Sequence, residues 1–116
     1  MKYKILFLNP VFRKGLNITV RKEKKWINAK MGDFLSIKKT TENKEIARGK
    51  ISEKAYLPFG LIPSKWLAFE HDSACHTKEG LFLEMKRAYP NFTDRDYVTV
   101  IFFEILEESE ISLEKK

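Results

Sequence analysis

Twenty residues near the start of the chain decide the fold, KGLNITVRKEKKWINAKMGD at positions 14–33. Gly15 is a turn residue, and the segment after it alternates apolar and polar side chains, which predicts a β-strand. Alternation sends Ile18 and Val20 to one face of that strand and the polar residues to the other. The polar residues are Asn17, Thr19 and Arg21. We expect their face to be exposed, and the five N–H donors of an arginine suit a phosphate group.

The segments on either side of this strand predict more strands than helices. The predicted strands are Lys4–Asn9, Asn17–Lys22, Phe34–Lys38, Ile46–Tyr56 and Asp96–Leu106. Apolar residues run almost without interruption through the first and the last, so we expect the first to be buried on both faces and the last to lie centrally. The predicted helices are Pro63–Phe69 and Thr77–Ala88, and Lys22–Lys30 is expected to be a loop. This order predicts an α+β fold, a small, mostly antiparallel β-barrel with flanking helices.

Length and charge favour one domain with a basic start and an acidic end. The chain has 116 residues and a formal net charge of +6, and residues 1–30 hold nine lysines or arginines against one acidic residue. Such a local field attracts polyanions, although a basic surface without a partner would have the same composition. We expect one domain over residues 1–106 and an acidic charged tail over 107–116.

The sequence shows no sign of export or of membrane insertion. No apolar run approaches the roughly 20 residues of a membrane-spanning helix, and the apolar patch at 5–8 is too short for a signal peptide. The single Cys75 cannot form an internal disulfide. We therefore expect a cytoplasmic protein with no membrane partner, and the sequence does not indicate its oligomeric state.

Four short motifs occur in an order that resembles one known family. They are Gly15 followed by Thr19-Val20-Arg21, the turn Gly32-Asp33, the helix end Tyr89-Pro90, and the closing segment DYVTVIFF at 96–103. In this order and spacing they resemble the ASCH domain family, which belongs to the PUA-like superfold, over residues 4–105. The resemblance implies a small β-barrel with flanking helices that binds RNA or a nucleotide, in a cleft lined by the strand after Gly15.

Some branches of that family are enzymes, so the resemblance implies hydrolysis as an alternative. One branch hydrolyses acylated cytidine nucleosides with a lysine, a threonine and a glutamate, and another has ribonuclease activity. Thr19 matches the threonine, whereas the lysine position holds Leu16 or Asn17 in this sequence. The glutamate position falls near Ala74, just after two carboxylates. The sequence leaves open whether the chain is an enzyme of either kind.

The segment 70–76, EHDSACH, gathers both histidines, the only cysteine and two carboxylates. Histidine is the side-chain type that titrates near neutral pH, and beside Glu70 or Asp72 the residue His71 suits a general base. If the chain is a hydrolase acting on a modified nucleoside or on RNA, we expect Thr19, Glu70, His71 and Asp72 to be catalytic. The same segment also fits a polar loop before a helix, with its cysteine buried. Its spacing does not match a metal site, and neither a metal nor a cofactor is predicted.

A second set of residues favours binding without catalysis. Lysines neutralise phosphates and an exposed aromatic ring stacks on a base, a combination that suits single-stranded RNA. The residues expected to bind RNA or a nucleotide are Lys14, Asn17, Thr19, Arg21, Lys22, Lys24, Lys25 and Trp26. The alternative for Trp26 is burial in the core. Binding of RNA or a nucleotide is the leading hypothesis, and the hydrolase is the alternative.

Two further surfaces are less specific. Four cationic residues would extend the basic surface if the third and fourth strands are neighbours. They are Lys38, Lys39, Arg48 and Lys50. The apolar residues of Pro58–Phe69 would suit a protein-interaction surface, although packing over the end of the sheet explains them equally well.

Overall fold

Five strands of the chain form one mixed sheet. The computed structural model describes residues 2–7, 12, 14–42, 44–70 and 72–106. The strands are β1 (Lys2–Phe7), β2 (Leu16–Arg21), β3 (Phe34–Lys39), β4 (Glu45–Pro58) and β5 (Tyr97–Ile105). The helices are α1 (Lys78–Ala88) and the 3₁₀ helices Lys24–Asn28, Phe59–Leu61, Ser64–Phe69 and Ser73–Cys75. The order of strands in the sheet is β1-β3-β4-β5-β2.

The predicted α+β class is confirmed, whereas the predicted barrel is not. Strand β1 pairs with β3 in parallel, and the other three pairings are antiparallel. Strands β1 and β2 form the two edges, and no ladder joins them among the described residues, so the sheet is open. The outer edge of β2 meets Glu70 instead, through an isolated bridge to Ile18.

Both faces of the sheet are covered by apolar packing. The α1-side core joins strands β2 and β5 to α1 and the segments before it; its members include Ile18, Val20, Leu67, Leu81, Met85, Phe92, Val98, Val100 and Phe102. The Trp26-side core lies on the opposite face and consists of Ile5, Phe7, Trp26, Ala29, Leu35, Ile37, Ile51, Ile101 and Phe103. Alternate residues of β5 enter the two cores, which confirms its predicted central position.

Strand β1 is not buried on both faces, so that prediction is wrong. Within β1, Ile5 and Phe7 are buried and Leu6 is 43% exposed. One face of β1 is exposed because β1 is an edge strand and contributes no residue to the α1-side core. The end of the predicted strand, residues 8–9, lies outside the described residues, as does the predicted tail at 107–116.

Local sequence signals set the ends of α1 and the segment after β2. Thr77 is the N-cap of α1, and its Oγ1 accepts a hydrogen bond from the backbone N–H of Gly80 at 3.0 Å, as the sequence predicts. The segment expected to be a loop at 22–30 contains the 3₁₀ helix Lys24–Asn28, which turns Trp26 inward. In the part of the chain that the structure describes, no helix is long and apolar enough to cross a membrane.

Candidate functional site

A cavity of about 360 Å³ opens beside the end of β2. It lies between β2, the end of β1, the segment 70–75 and α1. Its polar lining includes Thr19, Arg21, Glu70, Asp72, Glu84 and Arg87, and its apolar lining includes Phe7, Leu81 and Met85. Both the volume and the mixture of an apolar wall with a few polar groups are typical of sites for small organic ligands.

Arg21, the last residue of β2, spans the opening between the two edge strands. Its Nε donates to Thr19 Oγ1 at 3.0 Å, and its Nη2 donates to the carbonyl oxygen of Leu6 in β1 at 2.8 Å. The guanidinium carbon lies 4.7 Å from the centre of the Phe7 ring. These contacts hold the guanidinium plane, and Nη1 donates no hydrogen bond to any residue that the structure describes. The fork therefore keeps donor capacity for a ligand.

The charge of Arg21 is only partly compensated. Burial lowers the pKa of Arg21 because the cation loses hydration, while the nearby carboxylates of Glu23 and Glu70 act in the opposite direction. Glu23 accepts a hydrogen bond from the hydroxyl of Tyr89, and within the described residues no carboxylate accepts one from Arg21. An anion in the cavity would replace part of the lost hydration, and its hydrogen bonds to the guanidinium would be charge-assisted.

The other two polar residues of β2 are buried, so the prediction of a fully exposed polar face is wrong. Asn17 is fully buried and Thr19 is 2% exposed. They pair with Phe103 and Ile101 of β5, on the face that the Trp26-side core covers. Asn17 Nδ2 donates to the carbonyl oxygen of Gly15 at 3.2 Å, which ties it to the turn, whereas Thr19 lines the cavity.

Glu70 and Asp72 reach the same cavity from a segment that is distant in sequence. Glu70 follows the 3₁₀ helix Ser64–Phe69, and its bridge to Ile18 places a side chain that is only 2% exposed at the cavity wall. Asp72 Oδ1 accepts a hydrogen bond from the backbone N–H of Ala74 at 3.0 Å. That bond fixes the turn that leads to α1, so both carboxylates have a defined place beside β2.

The fold therefore brings together those predicted catalytic residues that the structure describes. Thr19, Glu70 and Asp72 line one cavity with Arg21, and His71 lies outside the described residues. His76 points its Nε2 at the carbonyl oxygen of Glu70, at 2.9 Å. The cavity thus offers carboxylates, a hydroxyl and a guanidinium to a bound molecule.

Cys75 also lines the cavity, and its surroundings disfavour the thiolate form. Burial raises the pKa of Cys75 to about 12, and the carboxylates of Glu70 and Asp72 act in the same direction. The thiolate, which is the reactive form, is therefore scarce. Among the residues that the structure describes, no group of three or more His, Cys, Asp or Glu could hold a metal ion.

The lysines expected to bind RNA do not line the cavity. Lys22 Nζ contacts Asp96 Oδ2 at 3.2 Å, and Lys25 Nζ donates to the carbonyl oxygen of Lys4 at 3.3 Å. Lys24 and Lys14 are exposed on the segments that follow and precede β2. The predicted basic stretch is therefore a surface around the cavity rather than its wall.

Trp26 is 1% exposed, so the expectation of an exposed stacking ring is wrong. Its ring centre lies 5.5 Å from that of Tyr3, and Lys25 Nζ lies 4.9 Å from the ring centre. The 3₁₀ helix turns the indole into the Trp26-side core, which leaves the neighbouring lysines at the surface. The alternative interpretation, a core tryptophan, is the correct one.

Sequence reasoning missed the contribution of α1 to the cavity. Glu84, Arg87 and Tyr89 all line it, and Arg87 Nη1 lies 3.2 Å from Glu84 Oε1. The signal was present, because these residues flank the apolar stripe of Leu81 and Met85 that packs on the sheet. With three carboxylates and two arginines in its lining, the cavity is of mixed charge rather than uniformly electropositive.

Part of each of the two less specific surfaces is engaged in an ion pair or in packing. Strands β3 and β4 are neighbours, as the wider basic surface requires, and Arg48 Nε contacts Glu45 Oε2 at 2.9 Å. In the segment Pro58–Phe69, Phe59 is buried and the Trp66 ring packs edge-on against Phe102, with ring centres 5.1 Å apart.

Comparison with known proteins gives evidence about the fold alone. No protein-family model matches the chain, and no curated protein matches it. The chain is similar to a solved structure described as the crystal structure of hypothetical protein PH0355. The TM-score is 0.53 at 13% sequence identity, over 91% of this chain and 100% of that one. A likeness at this identity is evidence for a shared architecture, not for a shared activity.

Proposed function

We propose that this chain is an ASCH-like module of the PUA-like superfold whose cavity beside Arg21 binds a nucleotide, either free or within RNA. The order of its motifs motivates the family, and the opening between β1 and β2 is where such a module would hold its ligand. The single observation that carries the proposal is the guanidinium of Arg21, fixed at the cavity by Thr19 and Leu6 while its charge lacks a directly bonded carboxylate among the described residues.

The rest of the lining suits the other parts of a nucleotide. The carboxylates of Glu70 and Asp72 accept hydrogen bonds from the amino or imino groups of a base, and the apolar wall of Leu81 and Met85 covers a ring face. In this arrangement Arg21 takes the phosphate or a base carbonyl. The carboxylates would repel a second anionic group, so a ligand with one charged end fits better than a polyphosphate.

Replacement of Arg21 tests this proposal directly. We expect Arg21→Ala to raise the Kd for a nucleoside monophosphate about tenfold to a hundredfold, because a hydrogen bond to a charged group contributes roughly 1.5–3 kcal/mol. Arg21→Lys should recover only part of the affinity, since an ammonium group lacks the planar fork. Calorimetric titration with the four ribonucleoside monophosphates measures these constants.

Arg95→Ala is the matched control, because Arg95 is exposed and lies outside the cavity lining. It should leave the Kd within about twofold of the unmodified chain. If none of the four monophosphates binds, or if Arg21→Ala and Arg95→Ala behave alike, the cavity is not a nucleotide site.

A second candidate function is hydrolysis of an acylated nucleoside, favoured because Thr19, Glu70 and Asp72 line the same cavity as Arg21. Glu70 or Asp72 would take a proton from a water molecule that attacks the acyl carbonyl. Arg21 and the Thr19 hydroxyl would donate to the oxyanion that forms. The carbon–nitrogen bond then breaks, the proton passes to the leaving amine, and the products are the nucleoside and a carboxylic acid.

Turnover of N-acylated cytidine, followed by chromatography, tests this candidate. We expect Glu70→Gln or Asp72→Asn to lower kcat at least a hundredfold, the usual loss when a general base is removed. Asp94→Asn serves as the control, because Asp94 is an exposed carboxylate outside the cavity lining. An unmodified chain that binds the nucleoside without turning it over would leave binding as the function of the cavity.

A further inference from the structure

Two tyrosine side chains lie exposed and side by side on the sheet. Tyr56 of β4 and Tyr97 of β5 are 52% and 53% exposed, although their ring centres are only 5.1 Å apart and their planes differ by 32°. Tyr56 pairs with Thr99 and Tyr97 pairs with Pro58, so the two rings stand on the same face at diagonal positions. We call Tyr56 and Tyr97 the tyrosine pair.

The tyrosine pair lies on the same face of the sheet as Arg21. Thr99 pairs with Tyr56 on one side and with Arg21 on the other. Because neighbouring strands are about 4.8 Å apart, the backbone of Tyr56 is about 10 Å from that of Arg21. Thr99, which lies between them, is 1% exposed, so a single strand that joins the two must pass over the part of the chain that covers Thr99.

One lysine lies near the tyrosine pair, and two more are exposed on a neighbouring helix. Lys54 precedes Tyr56 by two residues on the same strand, and its Nζ donates to the carbonyl oxygen of Ile27. The 3₁₀ helix Lys24–Asn28 therefore lies beside this part of the sheet and presents Lys24 and Lys25 to solvent. Lysines next to exposed aromatic rings are the combination that binds single-stranded nucleic acid.

The nearby carboxylates are engaged by other groups. Asp96 accepts hydrogen bonds from Lys22 Nζ at 3.2 Å and from the backbone N–H of Thr93 at 3.0 Å, and Glu23 accepts one from the Tyr89 hydroxyl. Their charge is thereby partly offset, which weakens their repulsion of a polyanion near the rings.

We infer that the tyrosine pair stacks on the bases of a single-stranded RNA that passes from the cavity beside Arg21, around the part of the chain that covers Thr99, to the exposed rings on β5 and β4. The inference rests on the proposed function, because it makes the nucleotide in the cavity one member of a strand. The rings take the bases next to that nucleotide, and Lys54 and Lys25 neutralise its phosphates. An uncharged peptide would gain nothing from the lysines.

Fluorescence anisotropy with a labelled ten-nucleotide oligouridylate, alongside calorimetry with uridine monophosphate, tests the inference. We expect the double variant Tyr56→Ala, Tyr97→Ala to raise the Kd for the oligonucleotide at least tenfold and to leave the Kd for the monophosphate within twofold. Tyr56→Phe with Tyr97→Phe should bind as the unmodified chain does, because stacking needs the ring and not the hydroxyl. Phe34→Ala removes an exposed aromatic ring on β3 and should change neither constant.

The outcomes separate this inference from the proposed function. An oligonucleotide affinity that survives loss of both rings overturns the inference, while loss of monophosphate binding in Arg21→Ala still supports the cavity. Oligonucleotide binding that depends on the tyrosines but not on Arg21 supports the tyrosine pair and overturns the nucleotide site. If the unmodified chain self-associates and the double alanine variant does not, a second copy covers the rings, and the inference is wrong.

Discussion

Trp26→Ala is expected to lower the free energy of unfolding by about 3–5 kcal/mol, the usual cost of removing a large aromatic side chain from a core. Trp26 is buried in the Trp26-side core, where it contacts Tyr3 and lies under the ammonium group of Lys25. A stacking residue at the surface would cost far less to remove, because its ring is already hydrated. Urea unfolding followed by circular dichroism gives the free energy.

Two neighbouring variants make this result specific. Ile27→Ala removes an exposed side chain from the next position and should cost less than about 1 kcal/mol. Trp26→Phe keeps an aromatic ring and removes Nε1, which has no hydrogen-bond partner among the described residues, so it should cost less than half as much as alanine. If Trp26→Ala is as stable as the unmodified chain, the Trp26 side chain does not contribute to the core.

The elements that the sequence predicts best are those with a complete local signal. The helix α1 begins after an N-cap threonine and carries its apolar residues at helical spacing, so its place required no knowledge of the rest of the chain. The central position of β5 followed from an apolar run long enough to cover two cores. A glycine inside a strand is typical of a bulge or a close backbone approach, and a side chain at Gly49 of β4 would lie 3.2 Å from the carbonyl oxygen of Glu104.

The errors arise where burial depends on which strands become neighbours. Alternation in β2 correctly separated its polar residues from its apolar ones. Asn17 and Thr19 are nevertheless buried, because the Trp26-side core, to which their partners in β5 belong, covers the polar face. The apolar run of β1 predicted burial on both faces, but parallel pairing with β3 placed it at an edge. Neither partner could be identified from the segments themselves.

For the candidate site, one group of lining residues was predicted from the sequence and another was missed. Glu70 and Asp72 were grouped with Thr19 through a family resemblance, and a bridge of backbone between residues 18 and 70 brings them to one cavity. Glu84 and Arg87 were not foreseen, because their role depends on which side of α1 faces β2. A helix pattern defines a buried stripe, but not which of the two polar flanks of that stripe lies over a cavity.

Gly80→Ala in α1 is expected to destabilise the protein by about 1–3 kcal/mol, the cost of forcing extra volume into packed structure. In an ordinary helix the same change is favourable by up to about 1 kcal/mol, because glycine is a poor helix former. At this position a methyl group would overlap the carbonyl oxygen of Ala74 and would lie 3.1 Å from Thr77 Oγ1. The overlapping atom belongs to the backbone, so a change of rotamer cannot relieve the clash. Thermal and urea unfolding measure the change.

Whether Gly80→Ala lowers or raises the free energy of unfolding shows whether the turn before α1 is rigidly packed against the helix. The candidate site depends on that packing. The same turn carries Asp72 and Cys75 to the cavity, so making room for the methyl group must displace two residues of its lining. We therefore expect Gly80→Ala to weaken binding of a nucleoside monophosphate as well as stability. Leu83→Ala, at an exposed position of the same helix, should leave binding unchanged. A more stable Gly80→Ala variant with full affinity would mean that the turn yields easily and that glycine at this position serves no packing role.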